Sequence, residues 1–348
     1  TSVEAQVPVP TQDVFAFVRA LDDAAARNIW PGFNPAEWPI ALFDGERTVL
    51  LRHPSPPPEF SPMPGRPGVL VAPGRHAAVT SNSTRELGGR RTATVVATPG
   101  QAIESATLAC IEEVFHVFWL ARNPSFRPNE MARYAYPLAD AVNLTGLLAE
   151  EEALARAIEA REEPTAAAWA AAALRLRAER VARLPDEVAQ YERALEMMEG
   201  TANYVARVAV GQAPASTTAR LRRERAAEDI RWRFYDTGTA VCLLLDRFDP
   251  AWKARLDGRA DVTIGDALSA ALVARGMKAA TFSDIEESSF PARAKAAIAD
   301  LESRRQGVRK DLGERAGTRV VVEVAASAPP MRVERFDPIA LMVLEAGD

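Results

Sequence analysis

The chain has 348 residues and a mass of 37.7 kDa; 48% of the residues are hydrophobic and 26% are charged. This composition excludes a disordered chain, a collagen-like chain and a small disulfide framework. The formal net charge of -5 argues against a protein whose main task is to hold nucleic acid or an anionic membrane through a basic surface. We therefore expect no nucleic-acid partner.

Residues 1–100 predict a strand-rich region that opens with one helix. Apolar residues recur on one side of an amphipathic helix over 11–26. Asp44-Gly45 is typical of a hairpin turn, and Gly88-Gly89 marks a second turn further along. The predicted strands are 40–43, 48–52, 68–72, 76–80 and 91–97, and the Pro-rich stretch 54–67 is predicted to be a loop.

From Ala102 onwards the apolar residues follow a helical period. The predicted helices are 102–121, 138–160, 165–183, 186–209, 217–246, 263–274 and 291–305. The Ala/Glu/Arg-rich stretch 149–183 indicates a pair of solvent-facing helices, and 318–325 and 339–344 predict two C-terminal strands. The fold class is therefore α+β: a strand-rich region 1–100, a mostly helical body 101–310 and C-terminal strands 311–348, interpreted as one integrated domain.

Compartment and cysteine pairing are less constrained by the sequence. No run of about 18 apolar residues occurs, which predicts no membrane insertion. The polar start at Thr1 is typical of a processed periplasmic or secreted protein, and equally of a trimmed chain. Cys110 and Cys242 both lie in apolar helical segments, so we predict that both are buried. The sequence does not decide whether a disulfide joins them.

The segment 105–121, SATLACIEEVFHVFWLA, has charged residues in the middle of an otherwise apolar helix. Its apolar residues cover every face, which indicates a buried helix, yet its middle holds Glu112, Glu113 and His116. Burying unpaired carboxylates costs several kcal/mol, so partner cations or a metal ion must compensate them. Residues 112 and 116 are four apart and project from one helix face. Ordinary pairing with arginines elsewhere in the chain is the alternative explanation.

Two further segments hold polar groups inside apolar helices. In 191–210 the residues Glu192, Glu196, Glu199 and Asn203 form a polar stripe, and Gly200 within the helix predicts close approach of another element. In 231–248 Gly238 again predicts a close contact, and Tyr235 and Asp236 are placed where a side chain can line a cleft or serve a purely structural role. A buried Glu on one helix and a Glu/His pair on another are the parts of a metal site.

Together these blocks resemble the gluzincin-type zinc metallopeptidases. In that family a helix with H-E-x-x-H is followed by a helix with E-G-x-A-x-Y, and residues 199–204 match the second block in full. More narrowly, the chain is similar to a bacterial family whose first helix reads H-E-x-F-H, against E-E-V-F-H at 112–116 here. The segments 81–89, 136–137, 238–245 and 252–253 also resemble that family, and the likeness covers roughly residues 30–345.

The resemblance implies a role for each matching residue. His116 and Glu199 are implied as zinc ligands, Glu113 as the general base, and Tyr204 or Tyr235 as donors to an oxyanion. The chain departs from the family at Glu112, which stands where the first His ligand is expected and could itself be a ligand. Two carboxylates and one imidazole form a harder and less zinc-selective set of ligands.

Three hypotheses about function follow from this departure. The first is a metallopeptidase-like protein with lost or altered metal binding and activity, and the second is a working hydrolase that uses Glu112, His116 and Glu199. The third is an unrelated helical binding protein. Zinc or no metal, and a peptide-like substrate or ligand, are the corresponding expectations for cofactor and partner.

Overall fold

The computed structural model describes residues 11–97, 101–124, 126–256, 259, 262–276 and 278–316. Over these residues the fold is α+β, as predicted. The predicted C-terminal strands 318–325 and 339–344 lie outside the described residues. Among the described helices none is long and apolar enough to cross a membrane.

Six strands form one mixed sheet in the order β3-β4-β2-β1-β6-β5. They are β1 (Ile40–Phe43), β2 (Arg47–Leu51), β3 (Ser61–Pro62), β4 (Val69–Pro73), β5 (Ser83–Leu87) and β6 (Arg90–Val96). Strand β1 pairs antiparallel with β2 and parallel with β6. The predicted hairpin is confirmed: Gly45 takes a φ of 102°, and the Asp44 carboxylate accepts hydrogen bonds from the two backbone N–H groups that follow Gly45.

One strand prediction in the N-terminal region is wrong, and one loop prediction needs a small correction. Residues 76–80 do not form a strand; the strand before the Gly88-Gly89 turn is β5. The backbone N–H of His76 donates to the Thr48 hydroxyl and its carbonyl accepts from Val79, so a turn uses the groups that a strand ladder would need. The Pro-rich stretch 54–67 is a loop apart from the short strand β3.

The described residues form eleven α-helices. They are α1 (Thr11–Ala25), α2 (Ile103–Arg122), α3 (Ala141–Glu159), α4 (Glu163–Val181), α5 (Asp186–Leu195), α6 (Thr201–Ala209), α7 (Pro214–Leu221), α8 (Ile230–Phe248), α9 (Trp252–Leu256), α10 (Ile264–Val273) and α11 (Asp284–Glu314). A π turn at Glu196–Gly200 joins α5 to α6, and single 3-10 turns lie at Pro35–Glu37 and Glu130–Ala135.

The helix predicted at 217–246 is two helices. Helix α7 ends at Leu221 and α8 begins at Ile230. The Arg220 carbonyl accepts a hydrogen bond from the Arg225 guanidinium, which folds the chain back between them. Helix α11 is longer than the predicted 291–305, because a capping box of Ser283 and Glu286 starts it earlier.

Helix α2 is buried because it packs against the sheet and against other helices. It contacts strands β5 and β6 on one side and helices α1 and α6 on others. Its residues Ile111, Phe115 and Phe118 belong to the same hydrophobic cluster as Ile40 of the sheet and Trp252 of α9. This surrounds α2 with apolar partners, as its sequence predicts, and leaves His116 buried and Glu112 and Glu113 half-buried in its middle.

The stretch 149–183 is not solvent-facing, contrary to the sequence interpretation. Glu150 and Glu151 on α3 are only 1% and 2% exposed. Glu150 forms ion pairs with Arg177 and Arg180 of α4, and Glu151 pairs with Arg233 of α8. The charged residues that suggested a solvent-exposed surface instead form ion pairs with arginines inside the helical body.

The two cysteines are buried, as predicted. Cys110 lies on α2 and Cys242 on α8, and both thiols are free. Burial raises the pKa of both thiols well above the ordinary value, so neither is a ready nucleophile.

Candidate metal centre

Three side chains that can bind a metal ion meet between α2 and the π turn. They are Glu112 and His116 of α2 and Glu199 of the π turn, and one ligand atom from each lies within 4.8 Å of the others. Nε2 of His116 is 3.1 Å from Oε2 of Glu199. The Glu on one helix and the Glu/His pair on another, which the sequence presents as the parts of a metal site, therefore lie together in the structure.

The π turn positions Glu199. It lies inside an otherwise continuous helical segment, and π turns widen a helix locally and recur at functional sites. The next residue, Gly200, packs directly against Gly238 of α8: a Cβ on Gly200 would lie 2.6 Å from the Gly238 Cα. The close approach predicted for both glycines is therefore confirmed, and it brings the backbone that carries Glu199 against α8.

A second layer of polar groups holds the two carboxylates. The Arg231 guanidinium at the start of α8 pairs with the second oxygen of Glu199 and, at 2.6 Å, with Glu130. The Tyr235 hydroxyl, one turn further along α8, also donates to Glu199. The Asn203 amide donates to Glu112 over 3.2 Å. These partners fix the orientation of each carboxylate from outside the triad.

Burial and mutual charge shift the ionisation of the group strongly. Burial, together with neighbouring carboxylates, raises the pKa of Glu112 and of Glu113 to about 7. Burial alone would lower the pKa of His116, but the charge of Glu199 and its other acidic neighbours raises it to about 9. Burial alone would raise the pKa of Glu199, yet His116 and Arg231 hold it at about 2.

The triad opens into a large cleft. A cavity of about 1360 Å³ is lined by all three side chains, by Glu113 and by Tyr235. Its other walls include strand β5, apolar residues of α2, the 3-10 turn Glu130–Ala135, the start of α8 and part of α11. The Glu113 carboxylate is directed into this space with no described hydrogen-bond partner, although the charges of Arg231 and Arg85 act on it.

The two tyrosines predicted as oxyanion donors lie in different places. Tyr235 lines the cavity beside Glu199. Tyr204 does not face the triad: its hydroxyl donates to Asp246, and its ring packs 5.8 Å from that of Trp252. Asp236, the other residue placed at a cleft by sequence, is buried and paired with Arg220 and Arg225, so it has a structural role.

Sequence reasoning did not identify Arg231 or Glu130. Arg231 precedes the buried part of its helix, where an arginine is ordinarily solvated, and Glu130 lies in a 3-10 turn far away in sequence. The available signal was indirect: a buried Glu199 that needs a cation implies an arginine somewhere in the chain. The residue itself could be chosen only from the fold.

Comparison with known proteins adds no relative. No protein family, no curated protein and no solved structure matches the chain. The function is therefore argued from the site itself.

Proposed function

We propose that the chain is a metal-dependent hydrolase of the metallopeptidase kind, in which Glu112 replaces the expected first His ligand. The observation that carries this proposal is the convergence of Glu112, His116 and Glu199 within 4.8 Å of one another, at the wall of a cleft large enough for a peptide. The resemblance of 112–116 and 199–204 to the gluzincin motifs supports it.

The donor set fits a divalent cation. Ligand atoms about 2.0–2.2 Å from one ion lie roughly 3–4.4 Å from each other, and the 3.1 Å between His116 and Glu199 falls in that range. Two carboxylates and an imidazole suit zinc as well as harder ions such as Mn²⁺. When bound, such an ion supplies a Lewis acid that polarises a carbonyl and acidifies water.

The residues around the triad suit the remaining steps of hydrolysis. Glu113 projects into the cleft next to the triad, where it would accept the proton of the attacking water and pass it to the leaving amine. The Tyr235 hydroxyl lies on the same wall and would donate a hydrogen bond to the developing oxyanion. Arg231 and Asn203 would keep Glu199 and Glu112 in place.

A second candidate is favoured by one specific contact. Both oxygens of Glu199 already have cationic partners, one in His116 and the other in Arg231. A site that is neutralised in this way needs no metal, and the cleft would then bind a peptide-like ligand without cleaving it. This candidate corresponds to a metallopeptidase scaffold that has lost its metal.

Metal titration separates the two candidates. We expect the parent protein to bind one divalent ion, and Glu199→Gln to bind it at least about tenfold more weakly, a loss of roughly 1.4 kcal/mol. Glu104→Gln is the matched control, because Glu104 lies exposed on the first turn of the same helix α2. The second candidate would be favoured by either of two results. One is equal metal affinity in all three proteins, and the other is that none of them binds Zn²⁺ or Mn²⁺.

Hydrolysis is tested with one further variant. In the metal-loaded protein, Glu113→Gln should retain the ion and lose peptide hydrolysis by at least about a hundredfold, the usual size of a general-base contribution. Casein digestion followed by mass spectrometry measures this loss. A Glu113→Gln variant as active as the parent would remove Glu113 from the proposed mechanism.

A further inference from the structure

Three arginines lie together around the connection between α6 and α7. They are Arg207 in the last turn of α6, Arg220 in the last turn of α7 and Arg223, which follows α7. The residues that line the cavity of the triad include none of the three. This arginine cluster is therefore a feature of the molecule separate from the cleft.

Two arginines of the cluster reach the same turn of α8. The Arg207 Nε donates over 2.6 Å to Oδ1 of Asn203, and that oxygen also accepts a hydrogen bond from the Thr239 hydroxyl of α8. The Arg220 Nε donates over 2.7 Å to Oδ1 of Asp236, also on α8. Residues 236 and 239 are three apart and share one face of that helix. The fold thus brings the two guanidinium groups to one place from two different helices.

Positive charge accumulates in this cluster. Burial and the neighbouring positive charges of Arg220 and Arg223 together lower the pKa of Arg207 to about 10. The carboxylates of Asp236 and Glu112 act in the opposite direction. Two arginines already share Asp236, however, and Glu112 belongs to the triad. The three guanidinium groups therefore have too few carboxylates of their own to neutralise them.

The cluster also has hydrogen-bond donors to spare. The Arg207 Nη1 donates to Gln212 over 2.7 Å, whereas its Nη2 donates to no described residue. The side chain of Arg223 is exposed and has no partner among the described residues. The acid next to Gln212 is the exposed Glu104, which accepts from the Gln212 amide and not from an arginine of the cluster. Donors are therefore available beside a guanidinium group that is already held in place.

We propose that the arginine cluster of Arg207, Arg220 and Arg223 binds a phosphate-class oxyanion, either inorganic phosphate or the phosphate of a phosphomonoester. A planar guanidinium group donates paired N–H bonds to such an anion. A dianion would also offset the repulsion among three like charges, which a single carboxylate would do only in part. The site lies outside the cleft, so the inference does not depend on the proposed hydrolase function.

Calorimetric titration of the chelator-treated protein with inorganic phosphate tests the proposal. Sodium chloride keeps the ionic strength constant, so that general screening does not contribute. We expect one site with a Kd of about 1 mM or tighter. O-phosphoserine is titrated in parallel: tighter binding of this compound would indicate a phosphate group on a larger molecule, and tighter binding of inorganic phosphate would indicate the free anion. No saturation by either compound up to about 20 mM would overturn the inference.

Variants locate the binding site. Arg223→Gln should weaken phosphate binding at least about fivefold, and Arg207→Gln at least about tenfold, because each removes a charged donor. Arg85→Gln is the matched control, since Arg85 is an exposed arginine that lines the cleft, and it should leave the affinity unchanged. Weaker binding in Arg85→Gln alone would place the anion in the cleft and overturn the inference.

A second measurement covers a variant that does not fold. Arg223 is exposed and has no described partner, so Arg223→Gln should fold as the parent does even if Arg207→Gln does not. Phosphate should raise the thermal unfolding midpoint of the parent and of Arg85→Gln more than that of Arg223→Gln. Equal shifts in all three proteins would contradict a role for the cluster.

The phosphate site and the metal centre can be tested separately. Glu199→Gln, which should weaken metal binding, should bind phosphate with the affinity of the parent, because Glu199 is not part of the cluster. A changed phosphate affinity in Glu199→Gln would mean that the anion binds at the triad, and it would overturn this inference without bearing on hydrolysis.

Discussion

We propose that residue 112 sets the zinc affinity of the triad. The substitution Glu112→His would replace a carboxylate by an imidazole at the same place on α2, and it would remove one of two adjacent half-buried acids. We expect the variant to bind Zn²⁺ at least about tenfold more tightly than the parent, about 1.4 kcal/mol, because two imidazoles and one carboxylate suit zinc better.

Calorimetric titration of parent and variant in one buffer measures the difference. Glu104→His introduces a histidine at an exposed position of the same helix and should leave the affinity unchanged. Equal zinc affinity in Glu112→His and the parent would mean that residue 112 does not contribute a ligand.

A second test at this scale concerns a buried ion pair away from the site. Arg233 and Glu151 are each 2% exposed in their side chains and pair across α8 and α3. Arg233→Met should lower the free energy of unfolding by about 3–5 kcal/mol, because it leaves Glu151 charged and unpaired in the interior. Arg175→Met, in an exposed pair with Glu179, should cost at most about 1 kcal/mol.

Urea unfolding of the two variants measures both values. If Arg233→Met proved as stable as the parent, Glu151 would have to find another partner or take up a proton. This test also separates a structural ion pair from the functional cluster, because neither arginine touches the triad.

At the scale of elements, the contact between the π turn and α8 sets the position of Glu199. Gly238→Ala would put a Cβ 2.6 Å from the Gly200 Cα. The Gly200 backbone cannot move aside as the end of a flexible side chain could. We expect a loss of about 1–3 kcal/mol in the free energy of unfolding, together with weaker metal binding. Denaturant titration and calorimetry measure the two effects.

Gly307→Ala provides the control for helix propensity. Gly307 lies in α11 with nothing within 4 Å of its would-be Cβ, so alanine there should stabilise the protein by roughly 0.5–1 kcal/mol. A Gly238→Ala variant that gained stability in the same way would show that the two backbones can separate freely.

The elements also show what the sequence could reveal. Helix α2 and the 186–209 segment were predictable because full apolar coverage and Gly200 are local signals, and their charged residues demanded partners. Glu150 and Glu151 were misjudged, because charges at helical spacing look alike whether water or Arg177 and Arg233 surround them. The π turn and Arg231 arise from tertiary packing, which no local pattern encodes.

At the scale of the whole molecule, one face of the sheet shares a core with the helices, and the other face has a small cluster of its own. Trp30, which is fully buried, packs its ring 5.3 Å from Phe115 of α2, 6.0 Å from Trp119 of α2 and 5.2 Å from Trp252 of α9. The same cluster contains Ile40 of the sheet. We expect a single cooperative unfolding unit as the consequence, and the one integrated domain inferred from the sequence stays a prediction.

The substitution Trp30→Ala tests whether the sheet and the helices unfold as one cooperative unit. It should lower the free energy of unfolding by about 3–5 kcal/mol, as for other buried tryptophans, and shift the whole transition. Far-UV circular dichroism and tryptophan fluorescence should report coincident midpoints in parent and variant. Separate transitions for the two probes would indicate that sheet and helical body unfold independently.

The contact of Gly200 with Gly238 also governs how the site moves. Backbone contacts backbone there, without an intervening side chain, so we expect a displacement of α8 to displace Glu199 as well. Arg231 and Tyr235 lie on that same helix. We therefore expect the Glu199 carboxylate and the two groups that hold it to shift together with α8.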